Sequence, residues 1–450
     1  MVTARAVVVG APGSGSGKTT VATGLMAALR RRGTAVAPFK VGPDYIDPGY
    51  HTLAAGRPGR NLDPVLVGAD RILPLARHGA AGAEIAVVEG VMGLFDGRLA
   101  DGAGSTAQVA GLLGAPVVLV VDVRGQSRSL AALLHGFRSF DPGVDVAGVV
   151  LNRVGSARHE DVLRSAADEV GLPVLGALPR RAELAVPSRH LGLVTAAEHG
   201  AAALAAVDAM AELVAAHVDL DAVAALAAPL PAGPAWDPAA ALAGPVDRPD
   251  GAARPVVAVF GGPAFTFGYA EHAELLAAAG AEVVTVDPLR EESLPPGAAG
   301  LVLPGGFPEE HVAALGANAP LREAVRALAA SGAPVHAECA GLLYLCDSLD
   351  DVPMCGVLPA RAAMTPRLTL GYRDAVALSE SVLFATGERV AGHEFHRCAV
   401  EPRAGGGPAW GWRGSEPEGW VAGGVHASFL HTHPAGRPEA AARFVARMTP

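Results

Sequence analysis

The chain has 450 residues, half of them hydrophobic and 18% charged, and 45 acidic residues against 35 basic ones leave a formal net charge of −10. That length predicts two or three domains at roughly 150 residues each, while the negative balance argues against broad contact with nucleic acid or an anionic membrane surface. No run of about 18 to 20 uncharged apolar residues is present to span a bilayer, and the first residues lack the zones of a signal peptide, so a soluble, cytoplasmic protein is expected.

Apolar runs at 6–10, 36–40, 85–89, 116–122 and 146–151 read as strands separated by helical lengths of chain. Buried strands spaced in this way predict a parallel sheet wrapped by helices. The first strand leads into APGSGSGKTT at 11–20 and then a helix. Gly13, Gly15 and Gly17 let backbone N–H groups curl around phosphates, the helix directs its positive end at them, and Lys18 adds charge. Thr19 and Thr20 follow, with Thr19 in the place of the magnesium-binding hydroxyl. The strict spacing of this loop places glycine at position 12, where Pro12 stands. A plain glycine-rich turn is the alternative, and the upstream strand with GKTT favours a phosphate site.

Magnesium-nucleotide chemistry also needs carboxylates at neighbouring strand ends, because Mg²⁺ prefers hard oxygen ligands and keeps several waters. Glu89 closes the strand at 85–89, Asp44 and Asp47 lie with Lys40 in KVGPDYIDP at 40–48, and Asp96 lies in GLFDG at 93–97. Ligands of open α/β sheets bind at such strand ends. Each aspartate taken alone is equally a turn former; their clustering after successive strands favours a metal and substrate site, with Thr19, Asp47 and Glu89 as the metal ligands.

From about 222 to 254 the composition shifts to Ala, Pro and Gly, which reads as a linker between a domain at 1–221 and another at 255–450. A second alternation follows, with strands at 256–260, 283–287, 300–303 and 334–338 and helices at 269–279 and 321–330. The last strand runs into Cys339, then Ala340, Gly341 and a helical stretch. A cysteine on a sharp strand-to-helix turn stands above its sheet, and the helix N-terminus is expected to lower its pKa. Late histidines in VHASFLHTH at 425–433 offer a base for covalent acyl transfer, and Gly305 and Gly306 are suited to offering N–H groups to an oxyanion. The competing readings are a packed core cysteine and a zinc site built from those histidines or from HEFH at 393–396, although neither histidine cluster has companion ligands at zinc spacing. The other cysteines, Cys346, Cys355 and Cys398, match no CxxC pattern and read as packing, since a cytoplasmic compartment disfavours disulfides.

Across nearly the whole chain these motifs resemble the cobyrinate or hydrogenobyrinate a,c-diamide synthases, glutamine-dependent amidotransferases of cobalamin biosynthesis. The resemblance rests on GKTT at 17–20, KVGPDYIDP at 40–48 with His51, VEGVMGLFDG at 88–97, VLNRV at 150–154 and RHLGL at 189–193. It continues through AFTF at 264–267, PGGFPE at 304–309, ECAG at 338–341 and GHEFH at 392–396. It implies a P-loop domain similar to dethiobiotin synthetase, binding ATP·Mg²⁺ and a corrin polycarboxylate, followed by a class I glutaminase-like α/β domain. Cys339 would attack L-glutamine with His431 as base. The third acid usual two residues after that histidine is replaced by His433, so a dyad is implied, with His433 as the alternative base. Asn152 would help recognise adenine, while Lys40, Asp44, Asp47 and Asp96 would surround phosphoryl transfer to the corrin carboxylate. Gly261 and Pro304 depart from the family pattern beside the glutaminase site. A homodimer or a closed domain contact would suit ammonia transfer. Cobyric acid synthase, which normally lacks GPDYIDP, and nickel-sirohydrochlorin a,c-diamide synthase are the neighbouring readings. A P-loop switch ATPase would leave Cys339 without a use.

Overall fold

The computed structural model describes residues 4–180, 188–189, 192–193, 195–242 and 253–448. The chain divides into two compact units, residues 1–236 and 237–450.

In the first unit, β1 (Arg5–Gly10) runs directly to the phosphate loop and α1 (Lys18–Arg31). β2 (Val36–Val41) is followed by α2 (Asp47–Ala55) and β3 (Arg60–Leu62). β4 (Ile85–Glu89), β5 (Val117–Asp122), β6 (Val146–Val154) and β7 (Val174–Pro179) complete a parallel sheet in the order β3-β2-β4-β1-β5-β6-β7. β1 is buried along its length except at Arg5, because helices cover both faces and every valine in it is removed from water. Each such burial contributes roughly 1.5–3 kcal/mol, which is why the central strands read as unbroken apolar runs. β1, β2 and β4 lie side by side, so the loops at their carboxyl ends converge.

The Ala/Pro-rich stretch is more structured than its composition suggests. Leu220–Leu226 is helical, Ala228–Pro229 pairs antiparallel with Arg5 and Ala6, and Trp236 N–H donates to Pro74 O at 2.9 Å. Residues 243–252 of the expected linker lie outside the described residues, as do 190 and 191 of the RHLGL motif.

The second unit contains β8 (Val256–Phe260), β9 (Glu282–Val286), β10 (Ala298–Leu303) and β11 (Val335–Glu338), with α3 (Ala340–Leu345) leaving the end of β11. A second sheet is built on the long antiparallel hairpin of β12 (Leu358–Ala377) and β13 (Arg389–Glu401). β14 (Trp420–Ala422) and β15 (Val425–Ser428) extend the first sheet to the order β9-β8-β10-β11-β15-β14. β16 (His431–Thr432) pairs with β13, placing His431 opposite His393. The chain therefore passes from one sheet to the other between Ser428 and His431, beside the end of β11. A core including Phe260, Leu301, Leu303, Leu342 and Tyr344 holds the elbow from below.

Candidate functional sites

In the first unit, five predicted residues meet at the strand ends. Thr19 Oγ1 donates to Glu89 Oε1 at 2.7 Å and lies 3.4 Å from Asp47 Oδ2. Lys40 Nζ donates to the same Asp47 oxygen at 2.6 Å and to Glu89 Oε1 at 2.8 Å, with Asp44 Oδ2 at 3.8 Å. Behind them His51 Nε2 stands 2.6 Å from Glu89 Oε2, both side chains fully buried. Burial alone would raise Glu89, but Lys40 and His51 hold its carboxyl well below the usual range. Burial likewise opposes the charge on Lys40, yet Asp47, Glu89 and Asp44 hold it far above an ordinary lysine. Asp47 is pushed well up by burial and by the neighbouring charge of Asp44. One ammonium thus faces three carboxylates.

The phosphate loop lies against this cluster. Gly15 and Gly17 have φ values of 77° and 95°, the left-handed region open to glycine. A side chain at Gly17 would also meet Asn152, since its Cβ would fall 2.2 Å from Nδ2. Asn152 donates instead to Ser16 O at 2.8 Å and so holds the loop from below. Lys18 Nζ donates to Met92 O at 2.5 Å and Gly13 O at 3.3 Å, and Met92 adopts φ 44°, which aims that carbonyl. Burial, then Lys40, lower the Lys18 pKa to about 8, against the opposing pull of Glu89, Asp47 and Asp96. Asp96 accepts from Gly93 N–H at 3.0 Å, and Asp44 Oδ1 accepts from the N–H groups of Ile46 and Asp47, so both serve their turns as well as contributing charge. Thr20 lies in the first turn of α1. Among the described residues no group of three or more His, Cys, Asp or Glu is arranged to hold a metal by itself.

In the second unit, Cys339 occupies the turn between β11 and α3 with φ 49° and ψ −101°. This conformation is costly for a residue with a side chain and persists where surrounding structure enforces it. Its N–H donates to Ser428 O at 2.8 Å and its carbonyl accepts from Leu343 N–H at 3.1 Å. Contrary to the expectation from a helix N-terminus, burial, together with the neighbouring Cys398 and Glu309, pushes the thiol well above its ordinary value, with Ala340 N–H pulling the other way. The resting group is a thiol and needs a base to become a nucleophile.

His431 is fully buried near Gly305, where an added Cβ would fall 2.4 Å from its Cε1. Gly306 admits no side chain either, because its Cβ would sit 2.1 Å from Ala264 O. The PGG loop and the AFTF segment are locked together, with Phe267 N–H donating to Gly305 O at 2.9 Å. His433 accepts from Ala435 N–H at 3.2 Å through Nδ1 and packs against the Tyr269 ring at 4.1 Å. All four cysteines are free, and Cys398 lies against Met364.

Two residues that the sequence did not mark as functional emerge in the structure. His51 was visible only as a neighbour of the KVGPDYIDP motif. Glu338 was visible only as the residue before the cysteine, yet its Oε2 lies 3.5 Å from His431 Nδ1 and its Oε1 accepts from Thr432 N–H and Oγ1–H at 3.1 and 3.0 Å. A cleft of about 1070 Å³ in this unit is lined by Arg367, Arg373, Glu394, His396, Cys398 and Phe429, the last following Ser428 in sequence.

Residues 7–194 match the CobQ/CobB/MinD/ParA nucleotide binding domain, and residues 256–439 match the CobB/CobQ-like glutamine amidotransferase domain. A relative from Mycobacterium tuberculosis named hydrogenobyrinate a,c-diamide synthase is 62% identical, with 98% of this chain and 97% of that one covered. One of the same name from Streptomyces coelicolor is 59% identical, with 98% and 97% covered. A relative from Gloeobacter violaceus named cobyrinate a,c-diamide synthase is 42% identical, with 98% and 96% covered.

Proposed function

This chain belongs to the a,c-diamide synthase family of glutamine-dependent carbon–nitrogen ligases, and on that basis we propose that it converts the a and c carboxylates of hydrogenobyrinate to amides with ATP and L-glutamine. The full-length identity carries the reading. Relatives named for the metal-free corrin are 54–62% identical, and those named for cobyrinate 38–42%, which favours the metal-free ring.

The glutaminase half-reaction begins with the Cys339 thiol. His431 takes the S–H proton, the thiolate sulfur bonds to the glutamine amide carbon, and the oxyanion forms beside the Gly305 and Gly306 loop. When the C–N bond breaks, the imidazolium returns its proton to the departing ammonia. Water then hydrolyses the glutamyl thioester to glutamate and the free thiol. The raised thiol pKa supports a base-assisted mechanism.

In the ligase half-reaction, a carboxylate cannot lose oxide to ammonia at neutral pH. Transfer of the ATP γ-phosphoryl group to the carboxylate gives an acyl phosphate, and ammonia attacks its carbonyl carbon and expels phosphate. The chain's part is positioning and charge neutralisation. The loop at 13–18 holds the phosphates, Lys18 exchanges its carbonyl partners for phosphate oxygens, and Lys40 fixes Asp47 and Glu89. The donor set of Thr19 Oγ1 with Glu89 at 2.7 Å and Asp47 at 3.4 Å from it, all hard oxygens, fits Mg²⁺ completed by phosphate and water. The cation would neutralise the phosphate charge there.

Product mass analysis with hydrogenobyrinate and cobyrinate, each with ATP and glutamine, tests the reading. Two carboxyl-to-amide steps on the metal-free ring are expected, faster than on the cobalt ring. Amidation of neither ring, or at other side chains, would refute it.

A further inference from the structure

We propose that Glu338, the residue directly before the nucleophile, is the acid that orients His431 and balances its charge once it is protonated. The inference rests on the reading of Cys339 and His431 as the glutaminase pair. Class I glutaminases usually carry this acid two residues after the histidine, where His433 stands in this chain and is engaged by Ala435 N–H and Tyr269. Glu338 reaches the same histidine from the opposite side of the chain crossover.

Three observations converge. The carboxylate Oε2 lies 3.5 Å from Nδ1, the outer edge of hydrogen-bond range, which is common before substrate binds and tightens as the ring becomes charged. The other oxygen is anchored by Thr432 N–H and Oγ1–H and faces His336 Nε2 at 3.3 Å, so the carboxylate cannot rotate away without losing those partners. Occupation of Nδ1 by a carboxylate fixes the tautomer and leaves Nε2 as the nitrogen that handles the thiol proton. His336 and His431 hold Glu338 well below the ordinary carboxylate range despite burial, so it is anionic throughout the working pH range.

The surrounding charges are accounted for. His393 faces His431 from β13 and burial lowers it to about 3. His426 on β15 and His272 on the helix Ala270–Ala278 sense Glu338, and burial lowers them to about 3 and 4. These three are neutral at working pH. Arg373 and Glu394, beyond His393, are paired with each other at 2.6 Å, and Glu309 acts on the Cys339 thiol. Glu338 is a carboxylate in contact with His431.

The test uses the full chain in four variants: Glu338→Gln, Glu338→Asp, Thr432→Val and Cys339→Ala. Glutamate release from glutamine and amidation with free ammonia are both followed against pH. Glu338→Gln keeps an acceptor for Thr432 but lacks the charge. Its glutaminase kcat is expected to fall about 100-fold or more, and the acidic limb of kcat/KM to move to lower pH by about one unit as His431 loses its counter-charge. Amidation with free ammonia should persist, and Glu338→Asp should recover part of the rate and return the limb toward its original position. Thr432→Val, which cuts only the anchor, should leave the limb in place. The proposal is overturned if Glu338→Gln retains the wild-type rate and limb while Cys339→Ala is inactive, or if Thr432→Val reproduces both changes. If Glu338→Gln also loses ammonia-dependent synthesis, the limb of Glu338→Asp decides: a limb at the wild-type position supports the proposal, and one moved to lower pH by about a unit, as if the charge were gone, refutes it. Continued glutamine hydrolysis by Cys339→Ala would overturn the underlying assignment instead.

Discussion

Glu418 gives a prediction that joins stability to the glutaminase site. Its carboxylate is 1% exposed, accepting from Ser428 Oγ–H and Phe429 N–H at 2.7 Å each, with Arg403 adding only a small pull. Burial therefore raises its pKa from 4.5 to about 7, against the pull of those two donors. The folded value lies above the unfolded one, so the associated stability is complete below about pH 4.5 and is lost as pH rises through about 7. At about 1.36 kcal/mol per pKa unit the full penalty is roughly 3 kcal/mol, of which a little over about 1 kcal/mol accrues between pH 6 and 8. Glu418→Gln imitates the protonated carboxyl: its oxygen can still accept from Phe429 N–H, and its amide can donate to Ser428 Oγ, which already accepts from Leu430 N–H at 2.8 Å. Differential scanning calorimetry of both proteins at pH 6 and 8 reads the difference. The melting temperature of the variant's glutaminase unit should gain about 3–5 °C on the wild type between those pH values, at about 2–4 °C per kcal/mol. A gap that stays constant from pH 6 to 8 would refute the burial argument.

Gly17→Ala should lose at least tenfold in ATP affinity by calorimetric titration while glutamine hydrolysis continues, because φ 95° and the contact with Asn152 both oppose a side chain. Lys40→Met should abolish ATP-dependent amidation and lower the melting temperature of the first unit, more at pH 8 than at pH 5, because the stranded carboxylates of Asp47 and Glu89 relieve their repulsion only by protonation. Gly305→Ala should displace His431 and reduce glutaminase kcat at least tenfold, with amidation from free ammonia intact; equal loss of both activities would point to misfolding.

The central strands were legible because burial on both faces makes their sequences continuous apolar runs: 85–89 and 256–260 coincide with Ile85–Glu89 and Val256–Phe260. The elbow was legible because a cysteine followed by Ala340 and Gly341 at a strand end has few other local solutions. The hairpin at 358–401 escaped notice, since its buried alternation is clear only at 358–363 and is soon followed by Pro366 and exposed residues. The pairing of Ala228–Pro229 with β1 was hidden by composition, because proline supplies no N–H and the next residue does so instead, Leu230 N–H donating to Ala4 O at 3.0 Å. His51 and Glu338 carry no local signal for their roles. Each acquires its partner across a long stretch of chain, His51 from Glu89 and Glu338 from His431, and only the fold supplies that proximity.

The net charge of −10 acquires a local meaning at the phosphate loop. Both lysines there are already engaged, but by unlike partners. Lys40 is bound to two buried carboxylates, and releasing it would strand charges whose desolvation costs several kcal/mol. Lys18 is bound to two backbone carbonyls, and exchanging neutral acceptors for phosphate oxygens replaces ordinary hydrogen bonds with stronger charge-assisted ones. The two lysines therefore differ in what their release would cost: Lys40 stays with its carboxylates, and Lys18 is the cation that the proposed function would move to a nucleotide. One such ammonium beside Asp44, Asp47 and Glu89 is far too little to balance a triphosphate, so under the proposed function the nucleotide would bring its divalent cation with it.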